Sequence, residues 1–195
     1  PGPSYLSYID FNTLITLFCL MLLVEGLREE KFLQYAANQV LSQVRTVRGL
    51  MITLVFLCFV GSMLITNDVA LITFVPLGIM ILEIAGQRKR MCFTVALMTI
   101  AANLGSMFTP IGNPQNLYLF SMSGLSLPDF LGLTAPYTVG AALLLLLCVR
   151  FGCGHGTLSI CLGETPHLRR GPVCFYLALF LLCVAAVGGV VPHLV

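Results

Sequence analysis

The chain is 195 residues long, 58% hydrophobic and only 9% charged, with a mean hydropathy of +0.97. Soluble domains carry about 25% charged residues, so a soluble fold is excluded, and so is disorder, which needs low hydrophobicity with high charge. Ten Lys/Arg against eight Asp/Glu leave +2, far short of a nucleic-acid-binding footprint. What remains is a polytopic membrane protein.

No basic n-region leads into a cleavable apolar stretch, so no signal peptide is expected. Starting at Pro1 and stopping at Val195 in an apolar run, the chain reads as a piece of a longer membrane protein. Residues 11–27 are apolar and roughly 25 Å long as a helix, enough to span with flanking help. Arg28-Glu29-Glu30-Lys31 follows, then residues 32–47, where Leu33, Ala36, Ala37, Val40, Val44 and Val47 recur at helical spacing among Gln34, Gln39, Gln43 and Arg45. That pattern predicts an amphipathic helix along the membrane interface.

Residues 49–82 contain a single charge, Asp68. As one helix they would be about 51 Å long, too long for the bilayer, so the run must break, at Thr66-Asn67-Asp68, into arms of roughly 25 and 21 Å. Lys and Arg gather at 28–48 (Arg28, Lys31, Arg45, Arg48) and at Arg88-Lys89-Arg90. Both stretches are cytoplasmic by the positive-inside rule, so the run between them starts and ends on one face, and its short arms and uncharged-to-acidic tip favour a re-entrant hairpin over two crossings. Residues 91–120 are interrupted by Thr109-Pro110-Ile111-Gly112-Asn113-Pro114-Gln115-Asn116, which cannot stay helical; they cross once as a discontinuous helix. Residues 131–149 return, and 173–195 leave again, with Arg150, Arg169 and Arg170 between them.

Unwound backbone at membrane depth survives only when buried in protein or lining a wet cavity. Each break places the N-terminus of a following half-helix beside the free carbonyls of the preceding one, with Asp68 or Asn67, and later Asn116, as plausible caps. Such N-termini suit an anion, and such carbonyls suit Na⁺ or another hard cation. Asp68 stands out, since a carboxylate at a helix centre costs roughly 2.5–3.5 kcal/mol and is functional by default. Capping at a surface loop is the plainer alternative for Asp68, and simple turn and cap duty is the stronger one for Asn113 and Asn116.

The stretches Thr66-Asn67-Asp68-Val69-Ala70-Leu71 with Pro76, and Ala102-Asn103-Leu104-Gly105-Ser106 through Pro110-Ile111-Gly112-Asn113-Pro114-Gln115-Asn116, resemble the ion transporter superfamily of citrate-transporter-like permeases, arsenite permeases, sodium–proton antiporters and divalent anion–sodium symporters. The resemblance covers essentially the whole chain. It implies two inverted repeats, each giving a hairpin and a broken helix to a midplane site, a homodimer and, in several members, elevator-like movement. It matches Thr66, Asn67 and Asp68 to the hairpin tip, and Gly112, Asn113 and Asn116 to the broken helix; Thr109, at the head of that break, is a candidate binding residue beside them. One repeat is present here; 173–195 resembles the first helix of the second, so this chain alone is not expected to transport. The symporters carry Ser-Asn-Thr at the tip, and the Thr-Asn-Asp found here leans toward the arsenite-permease or proton-coupled branch.

The resulting expectation is an all-α half-transporter for secondary active transport of a small anion or oxyanion, coupled to H⁺ or to Na⁺ held at Asn67, Asp68 and Asn113, in a cell membrane of bacterial inner-membrane type. An arsenite-type efflux permease or a sodium/proton antiporter is the alternative, and a passive channel is the rival of another class. No HExxH or GxSxG sequence and no His within an apolar span near Ser or Asp supports an enzyme. No resident cofactor or metal is expected. Glu25 and Glu83 read as ion-paired interfacial residues, Arg88-Lys89-Arg90 as a topology determinant, and His155, His167 and His193 as loop or helix-end residues. The spacing of Cys148, Cys153, His155 and Cys161 matches no established metal site.

Overall fold

A computed structural model describes residues 11–153 and 168–187; the expectations for His155, Cys161, His167, His193 and residues 188–195 lie outside them. The elements among the described residues are all helical: α1 Phe11–Glu29, α2 Phe32–Leu41, α3 Val47–Leu64, α4 Asn67–Ile84, α5 Met91–Ser106, α6 Pro114–Ser123, α7 Leu127–Gly152 and α8 Arg170–Val187. Four of them, α3, α4, α7 and α8, are long and apolar enough to cross a membrane. The fold is that of an all-α polytopic membrane protein.

Local chemistry explains where these helices differ from the expected ranges. The amphipathic helix stops at Leu41 rather than Val47, because Thr46, extended at φ −132°, accepts a hydrogen bond from Gly49 N at 3.0 Å and caps α3 instead. Its apolar stripe is Leu33, Ala37 and Leu41. The first turn of α7 begins four residues before 131, where Ser126 both receives the Asp129 amide and donates to the Asp129 carboxylate, a reciprocal cap followed by Pro128 in the first turn, where its missing N–H costs nothing. Glu25 pairs with Arg28 and Glu83 with Arg88, each at 3.1 Å.

The core lies between α3, α4 and α5. Leu50, Met51, Leu54, Val55, Cys58, Ala70, Ile81, Leu82, Met98, Ala101 and Ala102 are fully buried there. Lipid tails are as apolar as leucine, so close backbone approach rather than water exclusion must hold such helices together. Gly105 supplies it: a Cβ there would stand 2.1 Å from the Phe59 carbonyl oxygen of α3. Met98 of α5 lies against Gly78 of α4, so the hairpin is clasped along its length.

Two hydrogen bonds tie α7 to the body, one to the hairpin and one to the segment after α5. At the foot of the hairpin, Arg48 Nη2 donates to the Cys153 carbonyl at 3.3 Å, just past the end of α7. Nearer the start of α7, Thr134 donates to Phe108 O at 3.0 Å, in the segment that follows α5. Thr134 stands about 10 Å from the start of α7 and about 27 Å from its end. Outside this body, α8 packs on α1, with the Tyr176 ring over Gly26 and Arg169 3.7 Å from Glu30.

Candidate functional site

At the first break α3 ends at Leu64, Ile65 and Thr66 are extended, and α4 starts at Asn67. Thr66, not Asn67 or Asp68, occupies the cap position of α4, and its side chain makes no capping bond. The reason is visible next door: Asn67 Oδ1 takes the Asp68 amide at 3.0 Å, so the side chain one residue later does the capping work. Thr66 is buried and Asn67 half-buried, while Asp68 is exposed in the first turn. Among the described residues the Asp68 carboxylate has no ion-pair partner. A negative charge at this point is favoured by the α4 dipole.

At the second break α5 ends at Ser106, a short 3-10 turn runs Pro110–Gly112, and α6 starts at Pro114. Here the cap is Asn113, whose Oδ1 accepts the Asn116 amide at 2.7 Å; Asn116, expected as the cap, lies inside the helix. Proline at the first helical position explains the shift, since it starts helices as readily as it ends them. The Asn116 side-chain amide donates to Ser106 O at 3.1 Å and Thr109 O at 3.2 Å. Asn113 Nδ2 donates to Ser106 Oγ at 3.2 Å, and that hydroxyl donates to Asn103 O at 2.9 Å. The last carbonyls of a helix have no partners of their own; Asn116 supplies one to Ser106 O, while Asn113 holds the Ser106 hydroxyl. Gly112 is required for the fit, because a Cβ there would lie 2.1 Å from Ser106 O.

The two breaks meet. Thr109 Oγ1 donates to Met63 O, one of the orphan carbonyls at the end of α3, and Asn67 Nδ2 donates to Asn103 Oδ1 at 3.2 Å. Asn67, Thr109, Gly112, Asn113 and Asn116 thus lie in one hydrogen-bonded junction, with Thr66 buried beside it and Asp68 on its exposed side. Asn103 and Ser106 belong to the junction although the sequence reading did not single them out as site residues. The available clue was three polar positions, Thr99, Asn103 and Ser106, at i, i+4 and i+7 on an otherwise apolar helix. Among the described residues no three His, Cys, Asp or Glu side chains gather to hold a metal.

Two helix breaks joined by hydrogen bonds, in an all-helical apolar body, define a class: a polytopic membrane protein with two unwound segments in contact. Comparison with known proteins makes that specific. The citrate transporter family model matches residues 1–195, and the chain belongs to that family. It is 33% identical over 190 residues to the inner membrane protein YbiR of Escherichia coli, covering 94% of this chain and 49% of YbiR. It is 33% identical over 144 residues to the uncharacterized transporter MJ0456 of Methanocaldococcus jannaschii, 73% of this chain and 40% of that protein, and 31% identical over 148 residues to the human P protein, 73% and 17%. The chain spans about half the length, or less, of the curated relatives it matches. No solved structure matches it significantly.

Proposed function

We propose that the chain is the first repeat of a secondary active transporter that moves a small anion or oxyanion, with H⁺ or Na⁺ as the coupling ion. The supporting observation is the junction itself: a hairpin tip and a broken helix, joined through Thr109 to Met63 O and Asn67 to Asn103, with an unpaired carboxylate at its edge. In this reading α3 and α4 form a re-entrant hairpin, entering and leaving on the cytoplasmic face marked by Arg45, Arg48 and Arg88-Lys89-Arg90. The N-termini of α4 and α6 turn toward the anion, and Asp68 takes the proton or, with Asn67 and Asn113, the Na⁺. An inverted second repeat supplies the opposing hairpin and broken helix, and two such proteins pair as a homodimer in the cell membrane, a bacterial inner membrane by analogy with YbiR. Asn113 and Asn116 carry a structural share as well, since their amides already close the second break.

The test is gradient-dependent uptake by the intact protein in membrane vesicles. Asp68→Asn and Asn67→Ala abolish uptake while leaving membrane insertion intact. Unchanged uptake in both variants removes the hairpin tip from the mechanism, and uptake that never exceeds equilibration turns the transporter into a channel.

A further inference from the structure

Asp68 heads an exposed stripe on α4 that continues through Ile72, Pro76 and Met80, residues four apart that share one helix face. One turn along, about 6 Å from Asp68, Ile72 and Thr73 border a cavity of about 340 Å3 between α4 and the α1–α2 junction. Its opposite wall is charged: Glu25, Arg28 and Glu29 from the end of α1, and Lys31 at the turn. Arg28 neutralises Glu25, while Glu29 and Lys31 enter no ion pair among the described residues. Four charged side chains beside the second turn of an apolar helix are stable only where water reaches them.

A second observation points the same way. Thr73 is 5% exposed, yet its hydroxyl has no hydrogen-bond partner. A helical threonine normally donates to the carbonyl four residues back, as Thr94, Thr99 and Thr138 do here. A buried hydroxyl left without a partner is unfavourable, whereas a cavity of this size holds several waters at roughly 30 Å3 each.

We propose that this cavity is an aqueous vestibule that brings water and small hydrated ions from the cytoplasmic side to Asp68. The inference rests on the transporter reading for its purpose, not for its existence. Arg28 and Lys31, with Arg169 held beside Glu30 at 3.7 Å, mark this junction as cytoplasmic. The vestibule therefore assigns a side to the coupling ion: in this conformation Asp68 exchanges its ion with the cytoplasm.

Thiol labelling tests it, because only a hydrated, ionised thiol reacts with a charged methanethiosulfonate. In the intact protein every cysteine except buried Cys58 and Cys153 is replaced by alanine; burial also pushes the Cys153 thiol up, against the opposite pull of Arg90 and Arg48. Thr73→Cys and Ile72→Cys are compared with Gln34→Cys on the rim and Leu144→Cys on the exposed apolar face of α7. In inside-out vesicles an impermeant cationic reagent labels Thr73→Cys and Ile72→Cys within about 10-fold of the rim rate and at least about 100-fold faster than Leu144→Cys. Labelling of both as slow as Leu144→Cys, or labelling only from the opposite side, overturns the vestibule. Ile72→Cys carries the decision if Thr73→Cys fails to insert. Uptake in the same vesicles is read separately, so fast labelling without gradient-driven uptake keeps the vestibule and removes the transporter.

Discussion

The two breaks solve one problem in different ways. The second is nearly self-contained: Asn113 caps α6, Asn116 closes the carbonyls of Ser106 and Thr109, and Gly112 lies against the α5 backbone. The first keeps one side-chain bond to itself, Asn67 to the Asp68 amide. For the rest it borrows, Thr109 closing Met63 O and Asn103 receiving Asn67. A break that satisfies its own polar groups behaves as scaffold; one that depends on a neighbour and leaves a carboxylate exposed is free to respond to a ligand. The contrast divides the site residues into those that hold the structure and those that, on the proposed transporter reading, are left to act on a ligand.

The largest effects belong to the glycines. Gly112→Ala and Gly105→Ala each drive a Cβ to 2.1 Å from a backbone oxygen, which no rotamer change relieves, and overpacking of this kind costs about 3 kcal/mol or more. Both variants lose folded, monodisperse protein in detergent, and normal yield and thermal stability in either would show that the helices can part at no cost. Asn116→Ala comes next. It strands the Ser106 carbonyl and leaves Thr109 O with only the Gly112 amide, at about 1–3 kcal/mol for a buried group left unpaired. Thermal unfolding of Asn116→Ala should therefore fall well below that of Asn67→Ala, and the reverse order would make the hairpin tip the scaffold.

That division explains what could be read from residues alone. The breaks were legible because prolines, glycines and a lone carboxylate interrupt apolar runs that are otherwise too long. The residues put the second at 109–116, yet the helix ends at Ser106 and resumes at Pro114, because Pro114 reads equally well as a helix stop and as a first helical residue. The short estimate for the second arm of the hairpin failed similarly: Asn67 and Asp68 look like loop residues but make up the first turn of α4. The joint itself was illegible. Thr109 binds a backbone carbonyl of Met63, which no side chain advertises, and Asn103 meets Asn67 across 36 positions. Such contacts follow from packing α3 onto α5 at Gly105, not from any local pattern.

Smaller effects test whether the tip truly borrows. Thr109→Val keeps the shape and removes only the bond to Met63 O, at about 1 kcal/mol. Asn67→Ala and Asn103→Ala should each destabilise modestly, and the double variant should cost less than their sum by about 1 kcal/mol, the usual scale for neighbours sharing a bond. Strict additivity would mean the two amides do not communicate, and the junction would reduce to two separate turns.

Asp68→Asn should move stability least and function most. Its carboxylate is exposed and outside the bonding network, so the folded protein loses only the interaction of a charge with the α4 N-terminus, about 0.3–1 kcal/mol. Asparagine keeps the size and cannot carry a proton or neutralise a cation. Unfolding temperature should therefore stay close to that of the parent while uptake disappears, the opposite of the pattern for Asn116→Ala. A variant with lowered stability and retained uptake would place Asp68 among the scaffold residues. It would also leave the vestibule one turn below with nothing to serve.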